Sequence, residues 1–241
     1  MITTSIDDER DRINEVFPRA VLEKFEIHSY RNASTILAQN FPEQFAQIVQ
    51  VLEIFEVDTT MIRSPGGSKG LVAKYVESLF AGTDWRETRI SADLHVKLRT
   101  PQGSEILREY IREGYLDGHR IDFVSGKVAF DLEWNSKDQT FDRDLYAFST
   151  FHAAGAIDVG ILLTRGNSLG TGFMRSLGKV LTKSGEEGDA EVYKKFGAST
   201  TFLGKLLYRL DAGRNGSCPI LALGITPECV VDLQEWQGKN Q

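Results

Sequence analysis

Two segments, AIDVGILLTRG (156–166) and CPILALGI (218–225), run for a strand's length with almost no polar side chain. A strand that is apolar at nearly every position must be covered on both faces, which calls for a partly parallel sheet with helices on either side. Each run follows a helical stretch: FDRDLYAFSTFHAAG (141–155) is amphipathic and closes on Gly155, and STTFLGKLLYRLDAG (199–213) carries its own start and stop signals. Between these two blocks and the N-terminus the pattern changes. IDDERDRINEVFPRAVLEKF (6–25) and ASTILAQNFPEQFAQIVQVLEIF (33–55) space apolar residues by three and four, as packing helices do, and VAKYVESLFAGTDW (72–85) has the same spacing. RISADLHVKLR (89–99) alternates like a strand, SEILREYIREGY (104–115) reads as a short helix or loop, and HRIDFVSGKVAFDLEWN (119–135) reads as a hairpin turning at Ser125-Gly126. GRNGS (213–217) is a loop. The expectation is an α/β fold with a mixed central sheet flanked by helices, and one domain over 1–241 with a mainly helical part at 1–60 and an α/β core at 89–230.

With 241 residues, 41% of them hydrophobic, the chain can bury one substantial core. The opening residues lack a signal-peptide apolar region and no long uncharged apolar run occurs, so a soluble, unprocessed, cytoplasmic protein is expected. Cys218 and Cys229 are too few for a disulfide framework and lack zinc-site neighbours. A net charge of −6 argues against a uniformly basic coat for nucleic acid, yet leaves room for a basic groove around clustered acids. SPGGSKG (64–70) precedes a helix and could contact phosphate through free N–H groups, but it lacks the GxxxxGK[ST] spacing of a nucleotide loop.

Chemistry concentrates in IDFVSGKVAFDLEWNSKD (121–138). Alternation along a strand puts Asp131, Glu133, Asn135 and Lys137 on one side and Phe130, Leu132 and Trp134 on the other. A tight turn brings Asp122 across from Asp131 or its neighbours. Carboxylates so gathered repel one another unless a cation joins them, and hard oxygen ligands suit Mg²⁺. A plain solvated strand face would show the same spacing. None of His28, His95 and His119 has metal-ligand spacing, and His152 reads as a packing residue. No GxSxG elbow or HExxH helix is present.

Several blocks in order, namely TTMIRSPGGSKGLVAKYVESLF, IDFVSGKVAFDLEWNSKD, FDRDLYAFSTFHAAG, AIDVGILLTRG and KFGASTTFLGKLLYRLDAGRNGSCPILALGI, resemble the BglII/BstYI family of type II restriction endonucleases, related to BamHI. The similarity runs from about residue 26 to about 226. It implies a PD-(D/E)xK restriction-endonuclease-like core and a homodimer that cuts a short palindrome in double-stranded DNA with Mg²⁺. A cognate DNA methyltransferase would be its genetic rather than physical partner. The family's first metal-binding aspartate falls on Asp122, and its acidic pair falls on Asp131 and Glu133, where Asp and Glu replace the BglII-type residues and approach the BamHI variant. A register with Glu133 and Asn135 as the pair is the second choice. Glu87 is a candidate further ligand; Asn135 and Lys137 are candidate phosphate contacts. For DNA, Arg143, Arg165 and Asn167 have the side chains that pair with base edges, and Lys205, Arg209 and Arg214 suit phosphates. A repair or modification-dependent nuclease of the same fold, or a catalytically silent DNA-binding protein, would carry much of this pattern.

Overall fold

The computed structural model describes residues 10–66 and 70–239. Gly67, Ser68 and Lys69 of the glycine-rich motif lie outside the described residues. The helical opening consists of α1 (Arg10–Val16), α2 (Arg19–Lys24), α3 (Ala33–Asn40), α4 (Pro42–Ile54), α5 (Thr59–Arg63) and α6 (Leu71–Leu79). Between α2 and α3 the segment FEIHSY forms β1 (Phe25–Tyr30), a strand whose mixed polarity hid it in the sequence.

Three parallel strands make the centre of the sheet: β4 (Val128–Glu133), β5 (Val159–Arg165) and β8 (Ile220–Ile225). Both apolar runs are buried at every strand position. β2 (Arg86–Arg99) and β3 (Ile106–Ser125) add antiparallel to β4, and β1 adds antiparallel to β8, giving the order β1-β8-β5-β4-β3-β2. Helix α7 (Thr140–Ala153) is the crossover between β4 and β5, and α10 (Leu203–Asp211) precedes β8. A smaller layer holds α8 (Thr171–Ser176), β6 (Lys179–Leu181), β7 (Glu187–Glu191) and α9 (Val192–Lys195); α11 (Leu233–Lys239) follows the sheet.

Alternation along the central strands divides the core in two. Val128, Phe130, Ile161, Leu163, Leu221 and Leu223 face the N-terminal helices, while Ala129, Leu162, Ile220 and Ala222 face Phe141, Leu145, Phe148 and Leu206 of α7 and α10.

Two local expectations are corrected. The segment SEILREYIREGY is neither helix nor loop but the first half of β3, paired with β2 from Arg99↔Ile106 onward in a long two-stranded arm. Its apolar residues at 106, 107, 110 and 111 mimic helical spacing, and pairing with β2 overrides that local pattern. The hairpin turn is Gly126-Lys127, because Ser125 pairs with Val128; Gly126 takes the positive φ of 56° that the first position of a two-residue turn requires.

Close packing of α7 on the sheet depends on Gly160 in β5. A Cβ there would come within 2.5 Å of Phe148 Cδ2 and 2.8 Å of Ile220 Cδ1. Gly160→Ala is therefore expected to lose roughly 1–3 kcal/mol in denaturant unfolding, by overpacking. Adding Phe148→Leu should recover part of that loss; strictly additive losses would mean that this contact is not the cause.

Candidate active site

The end of the β3–β4 hairpin is where the ladder stops and side chains take over. Phe123↔Phe130 is the last regular pair, so Asp122 lies opposite Asp131. There the Asp122 N–H donates to Asp131 Oδ1 at 2.7 Å, and the Leu132 N–H donates to Asp122 Oδ2 at 3.0 Å. Each carboxylate thus binds the other strand's backbone. On its other edge β3 carries a bulge: Arg86 pairs with Val124 but Thr88 with Ile121, so one extra residue is accommodated on β3. Ile121 consequently packs under α7 while Phe123, two residues on, packs with Phe80 and Phe130 on the opposite side of the sheet. The bulge sets Asp122 at the junction of the two faces.

Asp131 and Glu133 point from β4 toward α7, in step with Ala129. A further acid meets them there: Asp144, in the second turn of α7, is 1% exposed. It lies on the same helix stripe as Phe141, Leu145, Phe148 and Phe151, and an aspartate in an otherwise apolar stripe is the signal that sequence reasoning missed. Arg143 offsets this charge. Its Nε and Nη2 donate to Asp144 Oδ1 at 3.1 and 3.0 Å, and Nη2 lies 3.6 Å from Glu133 Oε1. His119 of β3 brings Nε2 to 3.5 Å from Asp144 Oδ1. The imidazole that had no spacing signal in the sequence is brought in by strand pairing.

Electrostatics follow from this crowding. Burial, then the carboxylates of Asp144 and Asp122, raise the pKa of Asp131 well above its usual value. Burial and Asp144 raise that of Glu133 to about 7. For Asp122, whose side chain keeps a solvent-facing edge, desolvation again raises the pKa, opposed by the Leu132 N–H and assisted by Asp144, Glu87 and Glu77. Among the described residues, Asp131 Oδ2, Glu133 Oε2 and Asp144 Oδ2 are buried without a hydrogen-bond partner. Such oxygens are costly to leave unpaired, and carboxylates of this kind fit a hard divalent cation.

The other candidates are placed differently. Glu87 lines a cleft with Asp122 and Glu77 and ion-pairs with Arg120 at 3.5 Å. Asn135 and Lys137 do not extend the acidic row, because β4 ends at Glu133. Asn135 instead lines a cavity of about 450 Å³ with Leu132, Trp134 and Lys195, and Lys137 forms a bridge with Thr200. Arg143 stands at the acids with its side chain more than half exposed. Arg165 does not reach toward base edges: it is buried, donating to the Leu169 and Thr201 carbonyls and to Thr200 Oγ1, and it braces the loops beyond β5. Asn167 joins Glu26 to the Gly204 N–H. Lys205 pairs with Asp138, and Arg209 and Arg214 pair with Asp142, so these cations are already offset by acids.

The sequence profile of the family described as "Restriction endonuclease BglII/BglIII" matches residues 25–225. The chain belongs to this family. The matched span opens on the first residue of β1 and closes on the last of β8, so it takes in the whole sheet and every acid above. No curated protein sequence matches the chain.

The raised pKa of Glu133 has a consequence for folding. Its folded value, about 7, lies above the ordinary 4.5, so the folded metal-free protein holds a proton that the unfolded chain releases. Stability from this group is full below about pH 4.5 and is lost as pH rises through 7, by up to roughly 3 kcal/mol. Glu133→Gln removes the titration. The melting temperature of the native chain minus that of Glu133→Gln should therefore fall between pH 5 and pH 8; a flat difference would contradict the burial of this carboxyl.

Proposed function

We propose that this chain is a Mg²⁺-dependent type II restriction endonuclease that hydrolyses both strands of duplex DNA at a short palindrome, acting as a homodimer. The observation that carries this reading is the pairing of Asp122 with Asp131 at the open end of the β3–β4 hairpin, with Glu133 next on the same face of β4 and with Asp131 Oδ2 and Glu133 Oε2 buried without a hydrogen-bond partner among the described residues. Its counterpart in a cell would be a methyltransferase that protects the same palindrome.

Asp122 and Asp131 would hold the cation. When bound, Mg²⁺ supplies neutralisation of the phosphate's developing charge and a water acidic enough to attack at neutral pH. Glu133, whose pKa burial raises to about 7 in the metal-free protein, would be ionised beside the cation and would take the proton of the attacking water. Arg143 stands on the rim with more than half its side chain in solvent, where it can meet a phosphate oxygen while still holding Asp144. The backbone N–H groups that these carboxylates accept from, Asp122 N–H on Asp131 and Leu132 N–H on Asp122, fix both before DNA arrives, which reduces the reorganisation left for the chemical step.

Incubating the purified protein with unmethylated phage DNA and Mg²⁺ should give discrete fragments that vanish with EDTA; a smear or intact DNA would overturn the sequence-specific reading. Asp122→Ala and Asp131→Asn should each lower cleavage by about 10³-fold or more while leaving the melting profile cooperative, in line with losing a principal electrostatic element. With Ca²⁺ in place of Mg²⁺, gel-shift binding should persist and cutting should stop, because Ca²⁺ is larger and activates water poorly. Full cleavage by both variants would remove these aspartates from the reaction.

A further inference from the structure

We propose that His119, Asp131 and Asp144 form a second cation site, sharing Asp131 with the group above but lying on its α7 side and favouring a divalent transition ion such as Mn²⁺ over Mg²⁺. One ligand atom from each of the three residues lies within 4.8 Å of the others, the spread expected of donors around one ion. Two independent features point to an occupant. The first is unmet valence: among the described residues, His119 Nε2, Asp131 Oδ2 and Asp144 Oδ2 are all buried with no hydrogen-bond partner, and the two aspartates are 5% and 1% exposed. The second is orientation, since Arg143 grips Asp144 through Oδ1 alone and so fixes its carboxylate with the other oxygen unused. A neighbour that locks the rotamer of a ligand is the usual support of a metal site.

The donor set determines the kind of ion. Asp122, Asp131 and Glu133 offer only oxygen, which suits Mg²⁺; replacing one oxygen by imidazole nitrogen shifts preference toward first-row transition ions. Access is available from the side of the β2–β3 arm, where a cavity of about 340 Å³ is lined by Tyr115, Gly118, His119, Arg143 and Tyr146. Without a metal, a protonated His119 would pair with Asp144 across the 3.5 Å that separates them, and this is the alternative to be distinguished.

Mn²⁺ binding can be followed without DNA, by the electron paramagnetic resonance signal of free Mn²⁺ over metal-free protein at pH 7.5. The native chain is expected to bind two Mn²⁺ ions. His119→Gln should lose one, with affinity at that site falling roughly tenfold or more, and Asp122→Ala should lose the other. Melting curves add a second readout: Mn²⁺ should raise the melting temperature of the native chain more than Mg²⁺ does, and this excess should disappear in His119→Gln. His119 is at the edge of the cluster, with 19% of its side chain exposed, so this variant tests the site even if Asp144→Asn fails to fold. Unchanged Mn²⁺ stoichiometry and affinity in His119→Gln would overturn the proposal and leave the ion pair with Asp144. A native chain that binds only the His119-dependent ion, with a stoichiometry that Asp122→Ala leaves unchanged, would instead count against the metal centre of the proposed nuclease.

Discussion

The sealing of Asp131 between β4 and α7 is the constraint around which this molecule is arranged. A carboxylate deprived of water must be held by donors, kept protonated, or neutralised by a cation. The chain supplies part of each. One backbone N–H meets Asp131 Oδ1, burial pushes its pKa upward, and Arg143 stands nearby through Asp144. None of these reaches Oδ2. The open hairpin end, the bulged third strand and the arginine on the crossover helix all become intelligible as arrangements around that remaining atom.

Much of the architecture was legible because it rests on patterns that one strand or helix carries alone. The runs at β5 and β8 are apolar at almost every position, so burial on both faces could be read directly, and the stripe Phe141, Leu145, Phe148 identified α7. What could not be read depends on partners distant in sequence. β1 is a strand because it pairs with β8, almost two hundred residues later, and the first half of β3 is a strand because β2 holds it. Asp122 opposite Asp131 was foreseeable from the short turn, although the turn itself is shifted by one residue. Asp144 and His119 were not, since their approach to Asp131 combines helix packing with a bulge that no spacing rule contains.

Cationic side chains show the same division. Read as a sequence, Arg165, Lys205, Arg209 and Arg214 look like groups offered to a polyanion; in the fold they connect loops and helices to one another. Arg165 ties β5 to the segment before α10, and Asp138 and Asp142 gather the remaining three against the start of α7. This network fixes the helix that presents Arg143 and Asp144. Lys205, Arg209 and Arg214 thus act on the helix that carries the acids.

The extra residue near Asp122 also governs which changes in length this chain can accept. Because side chains in a strand alternate faces, removing one residue between Ile121 and Val124 would restore the regular register and carry either Ile121 or Phe123 to the wrong side of the sheet. At the tip of the β2–β3 arm, where residues 101–105 are exposed, additions and losses disturb no core. Related sequences are thus free to drift in length at the far end of the arm, while its base is held to a fixed count of residues.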